Sequence, residues 1–222
     1  MSIATAPPSA LVAHRYVVIE GPIGVGKTSL ARRLAAVFGA ELVLERAEDN
    51  PFLERFYRSP RTGALPAQLY FLFQRARQLQ QLRQSDLFAP LRVADFLLEK
   101  DRLFARVTLD DEEYGLYEQV YERLSIDAVV PDLVVYLQAP VDVLQDRIAR
   151  RGVRYEQGME REYLERLVEA YTRFFHHYDA APLLIVNAGE SDFIGDNAQF
   201  AQLQSEIARP RRGRHYFNPF RG

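Results

Sequence analysis

The chain has 222 residues, 48% of them hydrophobic, which is enough for one well-buried domain and too few for two large ones. A formal charge of −2 supplies no global field for a polyanion such as nucleic acid, although local arginine clusters can still hold small phosphates. The absence of cysteine excludes disulfides and thiolate-held metals, and no apolar run approaches the length of a membrane span.

Residues 1–14, with Pro7-Pro8 and no basic segment ahead of an apolar one, read as a flexible N-terminus rather than a secretion signal, which points to a cytoplasmic protein. Tyr16-Val17-Val18-Ile19-Glu20 is the first predicted strand. It runs into Gly21-Pro22-Ile23-Gly24-Val25-Gly26-Lys27-Thr28, followed by a helix from Ser29. Strand, glycine-rich loop, lysine, hydroxyl and helix in this order form a loop that cradles phosphates. Glycines let backbone N–H groups turn toward phosphate oxygens, Lys27 reaches the β and γ phosphates, and Thr28 offers a hydroxyl to Mg²⁺. The helix dipole favours the anion further. Gly21 to Ser29, that is Gly21, Pro22, Ile23, Gly24, Val25, Gly26, Lys27, Thr28 and Ser29, therefore bind the triphosphate, expected to be ATP.

Further along, residues 41–45 form a second strand, Asn50 to Tyr57 a capped helical turn, and Leu65 to Gln84 a long helix with a mostly apolar stripe. Residues 91–96 read as a third strand, followed by helices over Glu99 to Arg106 and Asp111 to Leu124. Residues 132–137 are a fourth strand, Val141 to Arg151 a helix, Glu160 to Tyr178 a helix, residues 183–186 a fifth strand, and Asn197 to Ile207 a last helix. Strands alternating with helices predict an α/β fold: a five-stranded parallel sheet with helices on both faces, in one domain over residues 15–208. Residues 209–222, opening with Pro210-Arg211-Arg212-Gly213-Arg214, read as a solvated basic tail.

In such sheets ligands sit beyond the carboxyl ends of the strands. Glu45 and Asp95 both end strands there. Glu45 is either an ordinary solvated glutamate before a turn or a carboxylate that takes a proton from an acceptor hydroxyl or helps hold Mg²⁺. Gln68 and Arg75 lie seven residues apart on one side of the long helix, either as surface groups or as readers of a nucleobase edge, with Asp95 as the expected partner of Arg75. Arg147, Arg150, Arg151 and Arg154 gather positive charge at one helix end, which suits either a solvated terminus or a lid over phosphates at about residues 147–158. The four histidines show no metal-ligand spacing.

With these residues laid out, the chain resembles the deoxynucleoside kinases, in particular their bacterial deoxyguanosine kinase branch. The resemblance runs from about Tyr16 to Gln202. It is carried by Glu20 to Thr28, by Glu45 with Glu48-Asp49-Asn50-Pro51-Phe52-Leu53, by Phe56-Tyr57, by Gln68-Leu69-Tyr70-Phe71 with Arg75, by Val93-Ala94-Asp95-Phe96, and by Arg151-Gly152-Val153-Arg154-Tyr155-Glu156. It implies that Glu45 is the general base for a nucleoside 5′-hydroxyl and that Gln68, Arg75 and Asp95 read the base. It further implies that Tyr57 and Glu156 hold the sugar 3′-hydroxyl and that Arg147 and Arg151 form the lid over ATP. The family is P-loop kinases, usually homodimers, often inhibited by the matching deoxynucleoside triphosphate. Two departures stand out. Many relatives carry an acidic residue, arginine and serine where this chain has Ala89-Pro90-Leu91, leaving Arg92, Glu48 or the lid as candidates to compensate. A second frequent lid arginine is Val153 here, with Arg154 one residue on. The deoxyguanosine kinase branch shares the first departure.

The reading is thus an ATP- and Mg²⁺-dependent kinase for the 5′-hydroxyl of a purine deoxynucleoside, deoxyguanosine first, with deoxyadenosine or a broad range as the alternative. A nucleoside monophosphate kinase of the thymidylate kinase type would need an Asp-Arg-Tyr-like element at the third strand. A nucleotide switch or regulatory ATPase would need an aspartate-glycine switch or an Asn-Lys-x-Asp element. Neither pattern occurs in the sequence.

Overall fold

The computed structural model describes residues 14–84, 91–124 and 129–219, so the expectations for residues 1–13 and for Ala89-Pro90 fall outside the described residues. In chain order the elements are β1 (Tyr16–Glu20), α1 (Lys27–Phe38), β2 (Glu41–Val43), α2 (Leu53–Arg58), α3 (Pro60–Gln84), β3 (Arg92–Ala94), α4 (Lys100–Thr108) and α5 (Asp111–Leu124). Then follow β4 (Leu133–Gln138), α6 (Val141–Arg151), α7 (Arg161–His177), β5 (Leu183–Asn187), α8 (Asn197–Ala208) and β6 (Arg214–Phe217).

All strands are parallel, in the order β2-β3-β1-β4-β5-β6. β1 pairs with β3 on one side and β4 on the other, so the chain leaves the central strand in both directions and opens a crevice at its carboxyl end. The apolar runs of β1 and β4 are buried on both faces, as a sheet covered by helices requires. Val17 and Ile19 pack with Leu30 and Leu34 of α1 and Phe200 and Leu203 of α8. Tyr16 and Val18 face the other layer, with Leu72 of α3, Tyr117 of α5 and Leu167, Tyr171 and Phe175 of α7. A smaller apolar cluster joins α2 to the start of α3 through Leu53, Phe56, Ala64, Ala67 and Phe71. No helix of the described residues is long and apolar enough to cross a membrane.

The sheet has six strands rather than the five expected from sequence. The sixth, Arg214–Phe217, lies inside the segment read as a solvated tail. It is only four residues long, its side chains alternate between exposed and half-buried, and Phe217 alone reaches the apolar layer beneath, too little for a strand signal in the sequence. Backbone pairing with β5 makes it a strand, and Arg214 adds bonds to the carbonyls of Phe175 (3.0 Å) and His176 (2.6 Å) at the end of α7. β2 and β3 stop short of Glu45 and Phe96. Past Ala94 the Asp95 side chain takes over from the ladder, its Oδ1 accepting the Glu45 N–H at 2.7 Å.

Candidate active site

A cavity of about 1150 Å³ opens at the carboxyl ends of β1, β2 and β3. At one end lies the glycine-rich loop between β1 and α1. Gly26, at the start of α1, has φ +104°, a left-handed conformation suited to glycine. Gly24 lets α6 pack against the loop, since a Cβ there would stand 2.9 Å from the Leu144 carbonyl oxygen. Lys27 Nζ donates to the carbonyls of Gly21 (2.7 Å) and Pro22 (3.3 Å). Burial, reinforced by the neighbouring Lys100 ammonium, pushes the Lys27 pKa down to about 8.

The Thr28 hydroxyl donates to Asp95 Oδ2 at 2.5 Å, and the other oxygen of that carboxylate holds Glu45 N–H. Asp95 therefore sits with the phosphate loop, and Arg75 makes its ion pairs with Glu45 and Asp101 instead of the expected Asp95. Glu45 is clamped from two sides: Arg75 bonds Oε1, and Lys100 Nζ donates to Oε2 at 2.6 Å. All three line the cavity, and the Glu45 side chain, 16% exposed against 3% for both cationic partners, is the most open of them. Burial alone would raise its pKa, but Arg75 and Lys100 outweigh that and hold the Glu45 carboxyl well below the usual carboxylate range.

Gln68 and Arg75 project from α3 into the same cavity and are almost fully buried. Apolar walls come from Leu53, Phe56, Phe71 and Phe104. At the far side Tyr57 stacks on Tyr155 with ring centroids 5.7 Å apart, and Glu156 pairs with Arg151. Burial raises the Tyr57 hydroxyl well above its ordinary pKa, so it stays a neutral hydrogen-bonding group. Arg147 donates to the carbonyls of Val25 (3.2 Å), Ala188 (2.8 Å) and Ser191 (3.3 Å), tying α6 to the phosphate loop. Burial lowers its pKa. Arg150 also lines the cavity, whereas Arg154 lies exposed at the short turn after α6.

A glycine-rich loop, a carboxylate fixed by an arginine on α3, and an arginine-bearing helix end thus share one cavity. The family model for deoxynucleoside kinases matches residues 17–210. The chain belongs to the deoxynucleoside kinase family. It is 32% identical over 200 residues to the deoxyguanosine kinase of Bacillus subtilis strain 168, covering 86% of this chain and 95% of that protein. It is 29% identical to the deoxyadenosine kinase of Lactobacillus acidophilus (83% and 91% covered) and 26% identical to the deoxyadenosine/deoxycytidine kinase of B. subtilis (88% and 92%). Among solved structures it is similar to deoxyadenosine kinase from M. mycoides with bound dATP, with a TM-score of 0.77, 26% identity, and 88% and 100% of the two chains covered. Membership makes the protein a phosphotransferase acting on a deoxynucleoside, while the relatives divide among guanine, adenine and cytosine substrates.

Three residues of this kinase received no role from the sequence: Glu20, named there only as part of the loop motif, Lys100 and Asp101. All are charged and nearly or fully buried, at or next to the carboxyl ends of β1 and β3. The available signal was two adjacent opposite charges in the first turn of the helix after the third strand, where the crevice must lie.

Proposed function

We propose that this kinase transfers the γ-phosphoryl group of Mg²⁺·ATP to the 5′-hydroxyl of a purine deoxynucleoside, with deoxyguanosine preferred. The observation that carries the guanine preference is that Gln68 and Arg75 line the cavity while Asp101 stands behind Arg75, fully buried and off the cavity wall. An arginine offers only donors, and O6 and N7 of guanine are adjacent acceptors, whereas adenine sets an amino donor beside N7. Such a two-pronged contact is worth about 1–3 kcal/mol of discrimination. Gln68 can accept from the remaining guanine donors.

In this reading Glu45 takes the proton of the 5′-hydroxyl, and Tyr57 and Glu156 hold the 3′-hydroxyl at the other end of the sugar. Lys27 reaches the β and γ phosphates, and Arg151 and Arg147 close the donor side and keep water out. The Thr28 hydroxyl and the Asp95 carboxylate form an all-oxygen pair that fits Mg²⁺, which binds through few protein oxygens plus phosphates. Bound there, Mg²⁺ would neutralise charge on the β and γ phosphates. Arg75 and Lys100 hold the Glu45 pKa down, so the carboxylate is ionised throughout the physiological range.

Two measurements test this reading. In competition among the four deoxynucleosides at limiting concentration, deoxyguanosine is phosphorylated first; a clear win for a pyrimidine ends the purine assignment. Glu45→Gln keeps ATP binding and loses about a hundredfold or more in kcat. Near-normal turnover in a folded Glu45→Gln protein removes Glu45 as the base.

A further inference from the structure

A lysine is buried only where carboxylates offset its charge. Lys100, 3% exposed in its side chain, has two: Glu45 Oε2 at 2.6 Å and Glu20 Oε2 at 4.0 Å. These carboxylates differ in freedom. Glu20, at the end of β1, is fully buried and committed on both oxygens. It accepts from Gly21 N–H at 2.8 Å, from the Tyr171 hydroxyl at 3.0 Å and from Leu97 N–H at 2.9 Å. Glu45 opens on the cavity. The backbone beneath Lys100 is held by the same anchor, because Lys100 N–H bonds the carbonyl of Leu97, the residue whose N–H Glu20 fixes. The ammonium thus has an immovable carboxylate on one side and the acceptor-side carboxylate on the other.

We propose that Lys100 is a positioning residue for the transfer: anchored by Glu20, it fixes the second oxygen of Glu45 and so aims the base at the acceptor hydroxyl. The proposal rests on Glu45 being the base. Arg75 alone does not orient the carboxylate, since it bonds one oxygen and is shared with Asp101. With Lys100 on the other oxygen, both ends of the carboxylate are fixed. In the reaction the acceptor oxygen bonds to the γ phosphorus, the bond from that phosphorus to the ADP oxygen breaks, and the hydroxyl proton passes to Glu45. Glu45 then becomes neutral, and Glu20 still offsets the Lys100 charge. The charged and titratable groups that bear on this cluster are Arg75 of α3 with Asp101 of α4, Lys27 of α1, Glu20 of β1, Tyr171 of α7 and Asp95 after β3. Lys100 also answers which residue stands beside the acceptor carboxylate in a chain whose segment before β3 carries Ala89-Pro90-Leu91. Arg92, a candidate from sequence, points away to Glu41 and the Leu82 carbonyl.

The test is steady-state kinetics of Lys100→Met and Lys100→Arg, each alone and combined with Glu45→Gln. Lys100→Met is expected to lower kcat about a hundredfold, as a misplaced catalytic group does, with the KM for ATP little changed. Lys100→Arg restores most of kcat, because it keeps a cation on the second oxygen of Glu45. In the Glu45→Gln background the Lys100 substitution costs little more, since it acts through a base already removed. Lys100→Met turnover within about threefold of wild type, or full additivity with Glu45→Gln, overturns the proposal. If Lys100→Met does not fold, Lys100→Arg decides: turnover within about tenfold of wild type that adds little to the loss of Glu45→Gln supports the proposal, and a larger loss in a folded protein overturns it. Near-normal turnover of Glu45→Gln by itself would instead strike the base assignment, a separate failure.

Discussion

The two ends of the cavity are built in opposite ways. The end proposed for the donor is contiguous: the six residues Gly21 to Gly26 between β1 and α1 set the loop, and Lys27 and Arg147 bind mainly to backbone carbonyls. The acceptor end is assembled from β2, α3 and α4, and its members are side chains that hold one another, Glu45 with Arg75 and Lys100 and Arg75 with Asp101. A loop held by backbone geometry survives many side-chain changes around it. A cluster of buried charges does not, because removing one member strands the others in a medium that solvates them poorly.

The largest break in this comparison is therefore expected at Arg75. Arg75→Met leaves Asp101 buried without its cation and frees one oxygen of Glu45, and it should cost about 3–5 kcal/mol of stability. The same variant should raise the KM for deoxyguanosine by tenfold or more and narrow its advantage over deoxyadenosine. ATP affinity in the folded fraction should stay close to wild type; calorimetric unfolding with ATP titration reads both. A comparable loss of ATP affinity would show that the two ends are not separate.

A smaller, graded effect probes the donor end. Lys27 titrates near pH 8 in the free protein, yet a bound triphosphate requires its charge. Above about pH 8 the free protein has given up that proton and must regain it on binding, so ATP affinity falls by up to tenfold per pH unit. Below that pH the proton is present in both states and the dependence from this group vanishes. Isothermal titration of ATP between pH 6.5 and roughly 9.5 checks it, with Lys27→Arg expected to flatten the curve because arginine keeps its charge. The smallest effect on chemistry is expected far from both ends. Deleting residues 214–222 removes β6 and the Arg214 bonds to α7, so the melting temperature should drop while kcat stays within about twofold. A large loss of turnover would tie this edge strand to the site.

The same contrast explains what could be read in advance. The phosphate loop, the central strands and the order of helices carry their signals locally, in glycine spacing, apolar runs and helical periodicity, and the structure reproduces them within a few residues at most boundaries. The early start of α3 at Pro60, the truncation of β2 and β3 by Asp95, and the strand made from Arg214–Phe217 depend on partners elsewhere in the chain. Gln68, Arg75, Glu45, Tyr57 and Glu156 were legible as a set and do meet in one cavity. Their pairing was not legible, because Asp95 and Asp101 lie six residues apart after one strand and each is a plausible partner for an arginine on α3.

The sequence by itself determined the family, and it pointed to a phosphate donor at residues 21–29, since such a loop is a contiguous stretch whose signal lies in glycine spacing and one lysine. Only the tertiary structure decided which carboxylate serves which cation: Asp95 to Thr28, Asp101 to Arg75, and Glu45 shared between Arg75 and Lys100. The reason is physical. Charges interact through space and over a few ångströms in a buried setting, so their partners are set by how strands and helices pack.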